Sequence, residues 1–334
     1  MWVAWRPHTF CVLDATPGEI TKSAWSTTVR GMDFSLWPAA SRPWQDILEA
    51  AEYAERTGWH GVWIADHFMA NGDEGVGVPV NECMALLAAL ASRTERVRLG
   101  SMVLGNTYRH PAVVANQAAT VDQISNGRFV LGVGAGWQVN EHEAYGIELP
   151  PTRELLARFD EACQVFKGLL TQERADFDGK YYQLAAAPLE PKPAAMPLLI
   201  GGSGEKVTLA IVAKYADEWN HWGPPETAVH KGSVFRGHCE KLGRDPGTVR
   251  RSTQALFDVV VPGDTEAEER REQLLAAGRL PVVMGSAEEV LDTVGRYVEA
   301  GIDELLIPDF MLGDGQRRFD ALERLREEVL IKLS

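Results

Sequence analysis

The residues with the clearest chemical meaning form a glycine-rich turn. In the segment LLIGGSGEK, Gly201, Gly202, Ser203 and Gly204 separate an apolar run from the start of a helical pattern. Glycine lets the backbone approach an anion closely, and the N–H groups at a helix N-terminus point towards that anion. The segment therefore favours a phosphate-binding turn over the alternative, a tight turn that needs glycine only for its backbone angles.

Two further segments carry groups suited to a large planar ligand. Asp66 and His67 end the apolar run of HGVWIADHF, so we expect their side chains to point to different sides. Histidine titrates near neutrality and suits a proton donor, although a single histidine is more often structural. In LGVGAGW, Gly132, Gly134 and Gly136 lack the GxGxxG spacing of a dinucleotide site and instead predict a flat strand end for a ring system.

Two other groups of residues predict neither a metal site nor a nucleophile. Glu141, His142 and Glu143 lack a second histidine at helical spacing, so we expect a solvated loop there. The four cysteines are far apart in the sequence, without a CxxC pair. Cys163 lies in an apolar helical pattern, which predicts a small buried side chain.

These side chains must be positioned by a repeated structural unit. From Met32 onwards, short apolar runs alternate with amphipathic helices, which predicts eight strands and eight helices. Apolar strands of this kind suit a parallel sheet covered by helices, and eight such units close into a (β/α)8 TIM-like barrel, whose reactive groups follow the carboxyl ends of the strands. A doubly wound open sheet is the alternative. The predicted strands are MDFSLWP, HGVWIADHF, VRLGSMVLG, GRFVLGVGAG, MPLLIGG, ADEWNHW, TQALFDVVV and DELLIPDF.

Two segments interrupt this alternation. Residues 1–31 have no clear period and predict a flexible N-terminal extension, which leaves residues 32–334 as the barrel domain. Between the fourth helix and the fifth strand, TQERADFDGKYYQLAAAPLEPKPAAMP holds two strand-like pieces around Asp178-Gly179, the signal of a hairpin. We expect this insertion to lie on the carboxyl side of the strands and to overhang an active site.

The composition narrows the classes of partner. The 334 residues include 33 basic and 47 acidic side chains, a net charge of −14, with 45% hydrophobic residues. This balance is typical of a soluble globular protein, and the acidity argues against a broad surface for nucleic acid or an anionic membrane. The first residues lack the apolar stretch of a signal peptide, and no apolar run is long enough to span a membrane. We therefore expect a cytoplasmic protein.

The chain from Met32 to the C-terminus resembles the luciferase-like monooxygenase superfamily, and within it the oxidoreductases that depend on the deazaflavin coenzyme F420. The resemblance lies in GVWIADHF, LGSMVLGNTYRHPAVVANQAATVDQISNGRFVLGVGAGWQVNEHEAYGIELPP, FDGKYY and LLIGGSGEKVTLAIVAKYADEWNHWG. It implies that F420 binds at the carboxyl mouth of the barrel, beside a catalytic Asp66–His67 pair, with a non-prolyl cis peptide at Ser101–Met102 behind the ring. We expect the cofactor to contact Asp66, Ser101, Met102, Gly136, Asn140, Gly201, Gly202, Ser203 and Gly204.

One departure from the family pattern bears on the substrate. The sugar-phosphate dehydrogenases of the family carry an acidic glutamate where this chain has Trp137, which makes a sugar phosphate doubtful. We expect hydride transfer to or from a small apolar substrate in a pocket with Trp37, Trp137 and Trp222. An FMN-dependent monooxygenase that uses reduced flavin and oxygen is the first alternative, and a non-catalytic flavin-binding paralogue is the second. The resemblance also implies a homodimer and a partner enzyme that reduces F420 or flavin.

Overall fold

The structure is a computed structural model that describes residues 32–71, 77–278 and 280–333. Its strands are β1 (Asp33–Trp37), β2 (Gly61–Ile64), β3 (Arg98–Ser101), β4 (Leu104–Gly105), β5 (Phe129–Gly134), β6 (Arg174–Asp178), β7 (Gln183–Pro188), β8 (Leu198–Gly201), β9 (Glu218–Trp222), β10 (Arg250–Gln254), β11 (Leu256–Val259), β12 (Val282–Gly285) and β13 (Glu304–Pro308). Its α-helices are α1 (Trp44–Thr57), α2 (Cys83–Ala91), α3 (Pro111–Ile124), α4 (Val139–Tyr145), α5 (Thr152–Thr171), α6 (Thr208–Tyr215), α7 (Pro225–Leu242), α8 (Thr265–Ala277), α9 (Ala287–Glu299) and α10 (Gly315–Leu325).

Eight of these strands pair in parallel around a closed ring. The order around the ring is β1, β2, β3, β5, β8, β9, β10 and β13. The ring closes because β3 pairs with β5 and because β13 pairs with β1 in register from Asp33 opposite Glu304 to Trp37 opposite Pro308. The predicted (β/α)8 barrel is confirmed.

The apolar residues occupy two layers that the alternation of the sequence explains. Outside the barrel, amphipathic helices turn an apolar face towards the strands. In α1, for example, Ile47, Ala51 and Ala54 are buried, and Gly58, at a φ of 85°, ends the helix. Inside the barrel lies a separate apolar cluster. That inner cluster comprises Trp37, Trp63, Met102, Val130, Leu199 and Leu306.

The amino-terminal end of the barrel interior is charged instead. Glu304 is fully buried and accepts hydrogen bonds from Ser35 Oγ at 2.6 Å and from Trp63 Nε1 at 2.9 Å. Arg250 Nε lies 3.4 Å from the same carboxylate. Buried charges persist when they are paired and hydrogen-bonded in this way. The paired charges fill this end of the barrel and leave the carboxyl end for a ligand.

The structure corrects three details of the predicted elements. The segment TQALFDVVV is not one strand, because β10 ends at Gln254 and β11 pairs with β12 outside the barrel ring. The two pieces form one apolar run, so the sequence period alone does not separate them. Helices α4 and α8 were also not predicted, since both are rich in charged residues and show no clear apolar face.

The insertion is a hairpin, as predicted, but its base does not lie on the expected side of the barrel. Strands β6 and β7 pair antiparallel around Asp178-Gly179. Because the hairpin follows α5 and precedes β8, its base lies on the amino-terminal side of the barrel, not on the carboxyl side. Its turn rises along α5 towards the carboxyl side, where the Tyr182 hydroxyl accepts a hydrogen bond from Asn106 Nδ2 at 3.2 Å and the Tyr182 ring meets His110 edge-on. The tip alone therefore reaches the edge on which the site lies.

Three further expectations concern burial and the chain ends. Cys163 is completely buried, as its helical pattern predicts. In the described part of the chain, none of the helices combines the length and the apolar character that crossing a bilayer requires. The expected N-terminal extension, residues 1–31, lies outside the described residues.

Candidate active site

A cavity of about 860 Å³ opens at the carboxyl ends of β1 and β2. Three of the predicted site residues, Trp37, His67 and Trp137, line it. Small-molecule sites commonly have volumes of about 300–1,000 Å³ and mostly apolar walls. The apolar part of this wall includes Ala40, Pro43, Met69, Val78, Val80 and Phe310. The cavity is therefore large enough for an organic substrate beside His67.

The buried carboxylate of Glu141, which does not line the cavity, contacts the ring of His67. Nδ1 of His67 lies 3.0 Å from Oε1 of Glu141, which is fully buried in α4. The Tyr108 hydroxyl donates to the same oxygen, and the Phe68 N–H donates to Oε2 at 2.9 Å. Burial raises the pKa of Glu141, but the hydrogen bonds from His67, Tyr108 and Phe68 outweigh burial and lower it. The ring of His67 meets that of Trp137 edge-on, with centroids 5.6 Å apart.

Asp66 points away from this cavity, as its position next to His67 predicts. Its carboxylate, 2% exposed, accepts both Nη groups of Arg109 at 2.8 Å and the Gly105 N–H at 3.0 Å. Arg109 also donates to Glu82 at 2.5 Å. Burial lowers the pKa of Arg109, but its hydrogen bonds and ion pairs with Asp66 and Glu82 outweigh burial and raise it. Asp66 thus ties the end of β2 to the segment that follows β3.

The predicted solvated loop at residues 141–143 is wrong. These residues belong to α4, where Glu141 and His142 are buried while Glu143 is exposed. His142 Nδ1 lies 2.6 Å from the Gln138 carbonyl oxygen, and its Nε2 lies 2.8 Å from Thr107 Oγ1. A run of polar residues predicts exposure, but a helical turn directs neighbouring side chains to different faces.

Helix α4 also holds the segment that follows β2. Gln138 Nε2 donates to the Met69 carbonyl oxygen, and Asn140 Nδ2 donates to that of Ala70, each at 3.0 Å. Oδ1 of Asn140 is buried and has no hydrogen-bond partner among the described residues. A buried acceptor without a partner costs free energy, so this atom is suited to a ligand that donates a hydrogen bond.

The cis peptide lies one bond further along than expected. The structure places it between Met102 and Val103, not between Ser101 and Met102. Nothing in the sequence marks the exact bond, because none of these residues is proline. Ser101 is buried, and its hydroxyl donates to the Gly132 carbonyl oxygen at 2.8 Å and accepts from the Gly132 N–H at 3.0 Å. Ser101 therefore joins β3 to β5.

Glycines leave the strand ends beside Val103 free of side chains. A Cβ on Gly134 would lie 2.8 Å from Val103 Cγ2, and one on Gly201 would lie 2.9 Å from the Val103 methyl groups. Gly136 has a φ of 97°, and a Cβ there would lie 2.7 Å from Thr107 Oγ1. These distances are shorter than van der Waals contact, so larger residues would displace their neighbours. The ends of β5 and β8 are accordingly flat, in line with the sequence pattern.

The glycine-rich turn after β8 presents unpaired backbone donors. Gly202, at a φ of 141°, donates its N–H to the Asn220 carbonyl oxygen at 2.9 Å and accepts from Trp219 Nε1 at 2.8 Å. Ser203 and Gly204 are exposed, and their N–H groups have no hydrogen-bond partner in the described part of the chain. Helix α6 begins shortly afterwards. This geometry is suited to an anion.

The three predicted pocket tryptophans have different surroundings. Trp37 lines the cavity and packs against Phe310, with ring centroids 5.3 Å apart. Trp222 lies behind it, 5.6 Å from Trp37 between ring centroids, and does not line the cavity. Trp137 is 59% exposed, an unusual state for a large apolar side chain. The structure therefore brings Trp37 and Trp137 to the cavity, whereas Trp222 is half-buried against Trp37 and its place in the substrate pocket stays a prediction.

The basic side chain that lines the cavity is already paired. Arg42 Nη1 donates to Asp314 at 2.5 Å, and its Nε lies 3.1 Å from Asp309. Its Nη2 donates to the carbonyl oxygens of Asp309 and Gly313 at 3.2 and 2.8 Å. Among the described lining residues, no other lysine or arginine is present. The cavity therefore offers no free cation from the described residues.

Comparison with known proteins shows which family the chain belongs to. The sequence model described as luciferase-like monooxygenase matches residues 27–282. The chain belongs to the luciferase-like monooxygenase family. The predicted resemblance to the F420-dependent branch of the luciferase-like family is also confirmed by the curated relatives.

Several curated relatives match most of the chain. F420-dependent glucose-6-phosphate dehydrogenase of Nocardia farcinica is 36% identical over 316 residues, which cover 82% of this chain and 90% of that protein. The protein of the same name from Kineococcus radiotolerans is 37% identical over 306 residues, covering 82% and 89%. A third, from Amycolatopsis mediterranei, is 38% identical over 174 residues, and the chain spans only half of its length.

The solved structures show the luciferase-like fold. An F420-dependent secondary alcohol dehydrogenase in complex with an F420-acetone adduct superposes with a TM-score of 0.76 at 24% identity, covering 89% of this chain and 99% of that one. The F420-dependent tetrahydromethanopterin reductase of Methanopyrus kandleri superposes with a TM-score of 0.73 at 18% identity, covering 91% and 99%. At these identities the likeness concerns the fold alone.

Three residues of the site were not predicted. Tyr108 and Arg109 follow β3, where a barrel places its reactive groups, so their position in the chain is a signal that could have found them. Glu141 also follows a barrel strand, β5, but its pairing with His67 has no sequence signal, since the two residues are 74 positions apart and Glu141 lies inside a run of polar residues.

Proposed function

We propose that this chain is an F420-dependent oxidoreductase that moves a hydride between the deazaflavin and an uncharged, largely apolar organic substrate. The curated relatives named for F420 dependence support the cofactor. The observation that carries the substrate class is the cavity beside His67, whose wall is mostly apolar and whose lining arginine, Arg42, is paired with Asp309 and Asp314.

The residues present fit a deazaflavin with a phosphate on its side chain. The flat ends of β5 and β8, where a Cβ on Gly134 or Gly201 would meet Val103, would accommodate the ring. The unpaired N–H groups of Ser203 and Gly204 would hold the phosphate. Oδ1 of Asn140 would accept a hydrogen bond from the cofactor. When bound, F420 supplies the ring carbon that accepts or gives the hydride.

The roles of Met102, Ser101 and Gly136 in binding stay predictions with a structural basis. Met102 is almost fully buried in the inner apolar cluster, where it would support the ring from below. Ser101 would act through the link that its hydroxyl makes between β3 and β5. Gly136, at positive φ beside Thr107, would keep the end of β5 clear of side chains.

His67 is the group that would move the proton. When a substrate hydroxyl group is oxidised, its carbon loses a hydride and its oxygen loses a proton, so a base beside the cavity is needed. His67 lines the cavity, and Nδ1 is already paired with Glu141, which leaves Nε2 for the substrate. Asp66 has both oxygens engaged by Arg109 and Gly105, so in this proposal it positions the segment after β3.

The wall of the cavity argues against a sugar phosphate. A phosphate dianion needs a free cation or several N–H groups, because its desolvation is costly. Arg42 is the lining cation in the described residues, and four groups of the protein already engage it. Trp137 adds an exposed apolar ring next to His67. An uncharged alcohol or ketone with an apolar body would bury this surface favourably.

A substrate comparison tests this proposal. Loss of the visible absorbance of oxidised F420 is followed with cyclohexanol, with longer secondary alcohols and with glucose 6-phosphate, and the reverse reaction is followed with reduced F420 and the ketones. We expect kcat/KM for the best neutral alcohol or ketone to exceed that for glucose 6-phosphate by about tenfold or more. The variant Trp137→Ala should show a smaller difference in kcat/KM between the neutral substrate and glucose 6-phosphate. A clear preference for glucose 6-phosphate would contradict the substrate class.

The remaining parts of the proposal concern partners and location. If the enzyme reduces its substrate, it needs reduced F420, so a separate F420-reducing enzyme is part of the proposal. The homodimer implied by the resemblance and the cytoplasmic location predicted from the sequence stay predictions.

A further inference from the structure

Glu141 is a buried charged group that does not touch the cavity. It is 0% exposed, is not among the residues that line the cavity, and lies behind His67 on α4. Its pKa is lowered, because the hydrogen bonds from His67, Tyr108 and the Phe68 N–H outweigh the effect of burial. Its carboxylate is therefore charged at neutral pH. A buried charge is expensive unless it is paired, so its place in the fold requires these partners.

The hydrogen bonds of Glu141 determine which nitrogen of His67 carries the proton. An ionised carboxylate only accepts hydrogen bonds. The groups around it are donors: the Phe68 N–H at 2.9 Å from Oε2, the Tyr108 hydroxyl and Nδ1 of His67 at 3.0 Å from Oε1. Nδ1 must therefore be protonated, and in a neutral imidazole the lone pair is then on Nε2.

We propose that Glu141 is a positioning residue that holds His67 as its Nδ1–H tautomer, with Nε2 directed to the substrate. This inference rests on the proposed function, in which His67 moves the proton. When an alcohol is oxidised, the C–H bond breaks and its electron pair leaves with the hydride, for which bound oxidised F420 would be the acceptor. The O–H bond breaks as well, the carbonyl forms, and the proton goes to Nε2 of His67. In the reverse direction the same nitrogen returns the proton.

The substitution Glu141→Gln tests this arrangement with little change in shape. The Phe68 N–H can only donate, so the amide oxygen of the new side chain must take the position of Oε2. The amide NH2 then faces Nδ1 of His67 as a donor. This reverses the hydrogen bond and should favour the Nε2–H tautomer, which has no lone pair for the substrate.

The tautomer is measured directly by ¹⁵N NMR of the cofactor-free full chain with labelled histidine at alkaline pH. We expect protonated Nδ1 in the unaltered protein and protonated Nε2 in Glu141→Gln. We also expect kcat to fall about tenfold or more in that variant, as for other enzymes whose histidine is held in the wrong tautomer, while the Kd of F420 stays the same. Glu143→Gln, an exposed change on the same helix, is the control and should alter neither quantity.

Three results would overturn the proposal: protonated Nε2 in the unaltered protein, an unchanged tautomer in Glu141→Gln, or unchanged turnover in that variant. If Glu141→Gln does not fold, Tyr108→Phe replaces it, because it keeps the carboxylate and should keep the Nδ1–H tautomer; loss of that tautomer would overturn the proposal. Failure of F420 to bind would contradict the proposed function, whereas the NMR result is independent of the cofactor.

Discussion

The carboxylate of Asp66 and the guanidinium of Arg109 form a two-point ion pair, with both N···O distances at 2.8 Å. Next to Asp66 in the sequence, His67 instead lines the cavity. Two adjacent residues just after β2 thus differ in their contacts: Asp66 binds the segment after β3, and His67 faces the cavity.

Removal of one partner of the buried Asp66–Arg109 pair should lower stability strongly. Asp66→Ala leaves the mostly buried Arg109 with Glu82 as its remaining carboxylate, and we expect a loss of about 3 kcal/mol in the free energy of unfolding. Glu52→Ala breaks the exposed pair with Arg93 and should cost less than about 1 kcal/mol. Guanidinium unfolding of both variants measures these values. Equal losses would mean that burial of the Asp66 pair has no special effect.

His67 should affect turnover far more than cofactor binding. His67→Asn can still donate a hydrogen bond towards Glu141, but it has no nitrogen that can accept a proton beside the substrate. We expect kcat to fall about 10²–10⁴-fold, the usual contribution of acid–base catalysis, with an unchanged Kd for F420. Steady-state kinetics on folded, cofactor-loaded protein measures kcat and distinguishes a catalytic role of His67 from a packing role. A decrease below about threefold would assign His67 a packing role instead.

The turn after β8 should recognise the cofactor phosphate. Ser203 is exposed, so Ser203→Asp adds a negative charge there with little effect on the fold. We expect the Kd of F420 to rise about tenfold or more, or ~1.4 kcal/mol, through repulsion of the phosphate. Ser203→Asn introduces a neutral side chain of the same size as aspartate, so it should raise the Kd of F420 less. A deazaflavin that lacks the phosphate should bind both variants alike, and a matching loss for that compound would remove the phosphate from this site.

His221 should make stability depend on pH. It belongs to β9 and is 2% exposed, and burial lowers its pKa from 6.5 to about 4. Below pH 6.5 the unfolded chain takes up a proton that the folded chain does not, so stability falls as the pH falls. Between pH 7 and pH 5 this difference amounts to about 2 kcal/mol. His221→Phe, measured by unfolding at both pH values, should remove that loss, and an unchanged pH dependence would contradict it.

The barrel and part of the site could be predicted from the sequence because their signals are local. Alternating apolar runs and helices specify the (β/α)8 barrel, and the glycines at residues 201–204 mark a turn by their type alone. The opposite directions of Asp66 and His67 follow from the alternation of a strand.

The rest of the site depends on contacts between distant segments. Glu141 lies 74 residues from His67, and its burial results from the way α4 packs on the segment after β2. A polar run such as Glu141 to Glu143 predicts exposure, and only the helical turn shows that its first residue faces inward. Local sequence patterns do not predict the pairing of Arg109 with Asp66 either, because the two residues are 43 positions apart.

The identity of the cofactor decides which reaction this site can support. A fluorescence titration of the purified chain with oxidised F420 and, separately, with FMN measures both affinities under the same conditions. We expect F420 to bind with a Kd in the micromolar range, about −8 kcal/mol, and FMN to bind much more weakly. Tight binding of FMN without binding of F420 would contradict the account and would indicate the flavin-dependent monooxygenase instead.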